Sequence, residues 1–399
     1  MELQDVVVVD AVRSPLGKHG GILRSIRPDD LAALMIKELV SRNKLDPSII
    51  EDIYFGCSNQ AGEDNRNVAR MAVLLSGLPF TVAGATVNRL CGSGLEAVND
   101  AANSIAVGSN DVVVAGGVES MTRAPYVVAK PAKPFDRSPQ IFDTTIGWRF
   151  INPNMTKTYP PLSMGETAEN LAVKYGISRA EQDEYALLSH RKAVDATKSG
   201  RLREEIVPIG VSQDGETLTL DKDEGPRENT SLEALAKLKP VFKAGGTVTA
   251  GNSSPISDGA AAVLLMSRDR CEQLGFKPFA KLAGSAVAGV DPSYMGMGPV
   301  PATNKLLKKT GLKLDQIDLI ELNEAFSAQV LAVLKQLPIK PDRLNPNGGA
   351  IALGHPIGCS GARIVTTLLH EMRRRGSKYG LATLCVGVGQ GVATLFERV

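Results

Sequence analysis

The two ends of this chain repeat one another, and that repetition narrows the folds open to it. Lys44-Leu45-Asp46 is followed by Ile50-Glu51-Asp52-Ile53, and Lys313-Leu314-Asp315 by Ile317-Asp318-Leu319-Ile320. In each copy a helix-like segment runs through a Leu-Asp turn into an apolar strand. A longer echo starts at Cys91-Gly92-Ser93-Gly94. It opens a segment apolar at Leu95, Val98, Ala102 and Ile105, the spacing of one helix face, which closes at Gly108 and enters the strand-like Val112–Gly117. Cys359-Ser360-Gly361 opens its counterpart, apolar at Ile364, Val365, Leu368, Leu369 and Met372, which closes at Gly376 ahead of Leu381–Leu384. Order, element type and turn chemistry all match, so the pattern predicts an α/β fold built from two copies of one unit.

Between the copies the texture changes. Prolines cluster at Pro125, Pro131, Pro134, Pro139, Pro153, Pro160 and Pro161. One amphipathic helix is predicted from about Ser178 to Lys198, opened by Ser178 with Glu181 three residues on, a capping box. The remainder is polar and turn-rich, as expected of an inserted loop domain carrying substrate contacts. The predicted division is residues 1–120 as the N-terminal half, completed by about 246–277, residues 121–245 as the insertion, and residues 278–399 as the C-terminal half.

Composition excludes several classes of function. A chain of 399 residues buries a large core without metal or disulfide staples. Lys+Arg of 45 against Asp+Glu of 43 leaves a formal charge of +2, which argues against a nucleic-acid footprint or a polybasic membrane anchor. No apolar run approaches the ~20 residues of a membrane span. Aromatics are 5% and Trp148 is the sole tryptophan, a poor basis for stacking nucleobases. Five widely spaced cysteines without a CxxC pair do not form a disulfide framework, and four scattered histidines do not form a zinc site. Val6–Val9 already reads as a strand, which leaves no room for a leader; a reducing, cytoplasmic setting is expected.

Three cysteine and histidine tracts carry chemistry. Cys91 precedes the helical pattern, where unpaired N–H groups and the positive end of the helix dipole lower a thiol pKa; the alternative is an inert buried cysteine. His355, in Gly354-His355-Pro356, opens a turn, where a general base or an oxyanion donor fits. The Gly-rich run before it, Asn345–Gly354, lacks the GK[ST] of a phosphate-binding loop. Cys385 heads Cys385-Val386-Gly387-Val388-Gly389-Gln390-Gly391. A β-type run (Val392–Phe396) follows, not the helix a dinucleotide site needs, so the glycines are read as exposed N–H groups beside a reactive thiol. Asn323-Glu324 at the end of the buried strand Leu319–Leu322 is either an active-site pair or a helix cap. Thr249–Gly259 reads only as a loop, and Cys57, Cys271 and Cys359 as structural. Two cysteines and a histidine on separate Gly-rich turns point to acyl transfer through a thioester.

Four motifs along the whole chain resemble the thiolase family: Val87–Gly94, Asn323–Phe326, Gly354–Gly361 and Cys385–Gly391. The resemblance implies two duplicated α/β halves layered αβαβα with an inserted loop domain, assembled as a homodimer or homotetramer. It implies ping-pong, reversible cleavage of a 3-ketoacyl-CoA to acetyl-CoA and a shortened acyl-CoA, with coenzyme A as substrate and no metal or other cofactor. Cys91 is then the acylated nucleophile. His355 activates it and binds the thioester oxygen, together with a water held by Asn323. Cys385 is the second acid/base. The N–H groups of Cys91 and Gly387 form a second oxyanion hole. Ser254 would touch the pantetheine arm and Arg227 the nucleotide side of coenzyme A, while Met164, Phe242 and Phe326 wall the acyl site. Ser163 stands where acetoacetyl-CoA-specific members carry histidine, and Gly251–Ser254 resembles degradative members, which points to a longer acyl chain and fatty acid β-oxidation. Ala61–Ala72 and Phe142–Pro153 resemble β-ketoadipyl-CoA thiolases instead. A ketoacyl synthase would need a second histidine or an asparagine in place of Cys385. A non-catalytic lipid-binding relative would have lost reactive residues.

Overall fold

A computed structural model describes residues 3–213 and 216–399. The first half contributes strands β1 (Val6–Arg13), β2 (Asp52–Gly56), β3 (Ala85–Val87), β4 (Val112–Ser120) and β5 (Ser257–Ser267). The second contributes β6 (Ala280–Gly289), β7 (Leu319–Leu322), β8 (Tyr379–Val386) and β9 (Gln390–Glu397). The principal helices are α1 (Pro28–Arg42), α2 (Ser93–Ala106), α3 (Met164–Tyr175), α4 (Arg179–Lys198), α5 (Pro299–Thr310), α6 (Ser327–Gln336) and α7 (Ile357–Arg375). No helix among the described residues is long and apolar enough to cross a membrane.

The duplication is visible in the strand pairing. From β1 the sheet runs β5, β4, β2, with two antiparallel pairings and then a parallel one; from β6 it runs β9, β8, β7 in the same pattern. Even the irregularities correspond, because β1 bulges between Val8 and Asp10 and β6 between Leu282 and Gly284. Both Leu-Asp turns become short 3₁₀ turns, Pro47–Ile49 and Leu314–Gln316, each leading into its strand. The halves join edge to edge through β1 and β6, where Val7 pairs with Lys281 and Val8 with Ala280.

Helices fill both faces and the space between the half-sheets. One core lies between α1 and the first half-sheet (Leu31, Met35, Ile36 against Ile53 and Val114). The central core holds α2 and α7 together (Leu95, Val98, Ile105 with Ile364, Val365, Leu368) against strands of both halves. The third packs Leu306 of α5 and Val330 and Val333 of α6 outside the second half-sheet. The result is the αβαβα order expected from the sequence. At the centre α2 and α7 meet backbone to backbone: a Cβ on Gly361 would lie 2.1 Å from the Leu95 nitrogen, and one on Gly94 2.7 Å from the Ala362 nitrogen. Only glycine permits that approach, and it brings the N-termini of the two duplicated helices, with the turns preceding them, to one place.

The intervening region wraps this frame with the short hairpins Tyr126–Val128/Ile141–Asp143 and Ile209–Gln213/Glu216–Leu220, and with α3 and α4. The capping box at Ser178 and Glu181 opens α4 as expected. A fully buried Arg13 on β1 ties the region down, donating to Glu205 at 2.6 Å and to both oxygens of Asp223 at 2.7 and 2.9 Å. Deleting one partner of such a buried cluster would strand an uncompensated charge.

Candidate active site

Cys91 stands in a 3₁₀ turn, Leu90–Gly92, immediately ahead of α2. Leu90 holds a left-handed backbone, φ 46°, which turns the chain sharply and presents the next side chain. The turn is braced: Ser93 Oγ accepts from the Arg89 N–H and donates to the Leu90 carbonyl, and Asn88 Oδ1 accepts from the Leu90 N–H. The side chain of Arg89 pairs with Glu96 and donates to Gln390 at 3.0 Å, lashing this turn to the start of β9. The helix-terminus argument for a lowered thiol pKa fails here. Burial pushes the Cys91 thiol up to about 11, although the N–H groups of Gly387 and of Cys91 itself pull it down. Cys91 is only half-buried by surface, so water in the cavity offsets part of that rise.

His355 sits between the short helix Ala350–Leu353 and α7, 8% exposed. Ser360, one turn into α7, has its Oγ 2.5 Å from His355 Nδ1 and 2.9 Å from the Pro356 carbonyl. The hydroxyl has one hydrogen, and donating it to the carbonyl requires Nδ1–H to donate to Ser360. Nε2 is then the free base, 3.5 Å from Asn323 Nδ2. Burial, with Arg363 adding to it, lowers the imidazole to about 4, so it is neutral near pH 7. Asn323 follows β7 and is fully buried; it is not a helix cap, since Phe326 occupies that position for α6. Its Oδ1 accepts no hydrogen bond from the described residues.

Cys385 is the penultimate residue of β8, and Gly387-Val388-Gly389 turns the chain into β9. The Gly387 N–H is directed at the Cys91 sulfur, and the two cysteines are near enough that charge on Cys91 raises the Cys385 thiol, a smaller effect than its burial. Cys91, His355, Cys385 and Gly387 all line one cavity of about 560 Å³. Ser254, Met164, Phe242 and Phe326 line it too, with the two phenyl rings edge to face at 6.0 Å. Arg227 is not among them: it is exposed, and its N–H donates to His190. Asn323 stands behind His355, not on the wall. Cys57, Cys271 and Cys359 are buried away from the cavity, and no second histidine reaches it among the described residues.

Several residues here escaped the sequence reading. Ser360 fixes the histidine tautomer. Glu119 on the cavity floor accepts from Ser58 N–H and Oγ, Asn59 N–H and Gly358 N–H, joining the first half to the start of α7. Ser163, already singled out for its bearing on acyl-chain length, has a second role that was missed: it caps α3 in a capping box with Glu166. The Ser-x-x-Glu spacing was readable in advance, as it was at Ser178.

His355 and His190 are both lowered to about 4 by burial. Unfolded, they titrate near 6.5. Between those values the unfolded chain binds protons that the folded chain refuses, so each histidine withdraws stability as pH falls through that window, at about 1.4 kcal/mol per pH unit. Urea unfolding from pH 7 to 4.5 should show His355→Asn with a shallower acid loss than the parent, by up to that slope. Parallel curves would contradict the neutral buried imidazole.

Family models for the thiolase N-terminal domain and the thiolase C-terminal domain match residues 6–269 and 276–398. The chain is 51% identical to the 3-oxoadipyl-CoA/3-oxo-5,6-dehydrosuberyl-CoA thiolase of Escherichia coli K12, over all of both chains. It is 54% identical to the β-ketoadipyl-CoA thiolase of Pseudomonas knackmussii, over 99% of this chain and 100% of the relative. Among solved structures, the acetyl-CoA acetyltransferase of Bacillus anthracis superposes with a TM-score of 0.94 at 43% identity, covering both chains fully.

Proposed function

The chain belongs to the thiolase family and is an acyltransferase working on acyl-CoA, and from that premise we propose that its substrate is a short 3-ketoacyl-CoA ending in a carboxylate, of the 3-oxoadipyl-CoA kind. Coenzyme A would cleave it to acetyl-CoA and a shortened acyl-CoA. The full-length match to relatives named for such substrates carries this reading, and the resemblance of Ala61–Ala72 and Phe142–Pro153 supports it. It replaces a straight-chain β-oxidation substrate as the leading choice.

In the first half-reaction His355 Nε2 takes the Cys91 proton as the sulfur attacks the 3-keto carbon. The oxygen becomes an anion held by the N–H groups of Cys91 and Gly387. Collapse breaks the bond between C2 and C3, and Cys385 protonates C2 to release acetyl-CoA. Meanwhile His355, now protonated, and a water on Asn323 Oδ1 hold the thioester oxygen. In the second half-reaction the Cys385 thiolate left by protonating C2 takes the thiol proton of coenzyme A, whose sulfur attacks the acyl group on Cys91. Collapse breaks the bond to the Cys91 sulfur, which takes back the proton held on His355, and releases the shortened acyl-CoA. Every proton and electron pair is thus handled by these side chains and coenzyme A. Ser254 would meet the pantetheine arm and the exposed Arg227 the nucleotide. The same reading carries a homodimer or homotetramer working in the cytoplasm.

The testing experiment is thiolysis, followed by acetyl-CoA release, with acetoacetyl-CoA, 3-ketohexanoyl-CoA and 3-oxoadipyl-CoA. The proposal requires 3-oxoadipyl-CoA to exceed the uncharged six-carbon compound by tenfold or more in kcat/KM, and equality defeats it. Acetoacetyl-CoA should be the poorest, because a tolerant pocket gains about 0.8 kcal/mol, roughly fourfold, per buried methylene. Ser163→His should cut the six-carbon substrates selectively by filling the wall beside Met164. Losing the α3 cap should also cost about 1 kcal/mol of stability. A uniform loss across all three substrates would assign the effect to stability alone.

A further inference from the structure

We propose that Arg149 recognises the distal carboxylate of the substrate and sets this enzyme's preference for dicarboxylic 3-ketoacyl chains. The inference rests on the thiolase reading and sharpens its substrate class. Among the described residues that line the cavity, Arg149 is the sole lysine or arginine. It is half-buried, and it forms no ion pair or hydrogen bond with any described residue. The one acidic side chain on the cavity wall, Glu119, does not neutralise it, because that carboxylate is fully engaged by Ser58, Asn59 and Gly358. An arginine on the wall of a mostly apolar cavity, without a counter-ion among the described residues, suits a carboxylate: its planar fork matches two carboxylate oxygens at once.

The segment carrying Arg149 is fixed at the acyl wall. The indole N–H of the preceding Trp148 donates to the Leu162 carbonyl at 2.8 Å, immediately before Ser163 and Met164. Upstream, the Thr144 hydroxyl donates to the Pro125 carbonyl and accepts from Asn59 at 2.9 Å. Downstream, Phe150 takes a left-handed backbone, φ 50°, and its ring packs on Phe142 with centroids 4.8 Å apart. Pinned on both sides, this segment holds Arg149 on the same cavity as Met164, Phe242 and Phe326, which Arg227 does not line. Cleavage of 3-oxoadipyl-CoA leaves a succinyl group on Cys91, whose carboxylate is two methylenes from the thioester carbon. An alkyl chain of equal length would strip water from Arg149 and return nothing, so the same side chain selects against uncharged substrates.

The test compares kcat/KM for 3-oxoadipyl-CoA and 3-ketohexanoyl-CoA in the parent, Arg149→Gln and Arg149→Lys. We expect the parent to favour the dicarboxylic substrate by about 10–100-fold, the range for a charge-assisted pair. Arg149→Gln should bring the ratio near unity by losing the charged substrate while keeping or improving the uncharged one, which also certifies a folded enzyme. Arg149→Lys should recover part of the ratio. A parent preference that survives in Arg149→Gln overturns this assignment and leaves the substrate reading standing. Equal losses on both substrates would move Arg149 to the coenzyme A side and also overturn it. A parent without preference refutes the substrate reading itself.

Discussion

Incubated with acetyl-CoA alone, the enzyme should acquire one acetyl group, on Cys91, and Cys91→Ala should acquire none. The first half-reaction run from this side needs no second substrate, only the sulfur, its base and the N–H groups that hold the anion. Cys91 faces the cavity with the Gly387 N–H directed at its sulfur, whereas Cys385 is 1% exposed. Removing the nucleophile leaves the cavity and both oxyanion sites without a reacting atom, so thiolysis should fall by at least roughly 10⁴-fold. The resting state is also constrained. Burial raises the thiol and lowers the imidazole, which favours an uncharged resting pair. Iodoacetamide, which needs a thiolate, should therefore alkylate Cys91 slowly at pH 7 and faster as pH rises toward 9. Peptide mapping decides the site of acetylation, and an acetyl group on Cys385 with Cys91 untouched would overturn the assignment.

The duplicated frame was legible because it is written in local pattern. Helix faces at Leu95–Ile105 and Ile364–Met372, Leu-Asp turns at Asp46 and Asp315, and glycine stops at Gly108 and Gly376 are all short-range signals. The edge-to-edge union of the half-sheets was not legible, because pairing Val7 with Lys281 is a long-range choice that no local pattern encodes. In the sequence Gly94 and Gly361 stand only as members of the motifs that open the two helical segments. Their use, letting two helices touch through their backbones, exists only once the helices are stacked.

The site divides along the same line. Residue types on Gly-rich turns pointed to Cys91, His355 and Cys385 as candidates, and the fold brings all three to one cavity. The sign of the Cys91 shift was misjudged because the helix terminus is a local feature, while the burial that outweighs it is a property of the whole fold. Ser360 and Glu119 were invisible for a related reason: each acts by bracing another residue, and bracing is defined by distance. Arg149 looked like part of a resembling segment, and only the cavity separates it from the many arginines on the surface.

Cys385→Ala should separate the two half-reactions. The variant keeps Cys91, His355 and the N–H groups of Cys91 and Gly387, so it should still take an acetyl group from acetyl-CoA at a measurable rate. It lacks the group that moves a proton to and from C2, so condensation should fall by ~10²–10⁴-fold. One thiol can serve as both acid and base because the first step prepares it for the second. Burial holds Cys385 protonated in the resting enzyme, so it has a proton to give to C2. Giving it leaves a thiolate, which is the base that takes the proton of coenzyme A. Cys385→Ser preserves the size but replaces the thiol with a far weaker acid, and should rescue little. His355→Ala behaves differently, because the imidazole serves both the Cys91 proton and the thioester oxygen, so acylation and condensation should fall together. Single-turnover acylation and steady-state condensation, measured on the same preparations, test the pair. Full condensation by Cys385→Ala would remove Cys385 from the mechanism, and normal acylation by His355→Ala would remove the base.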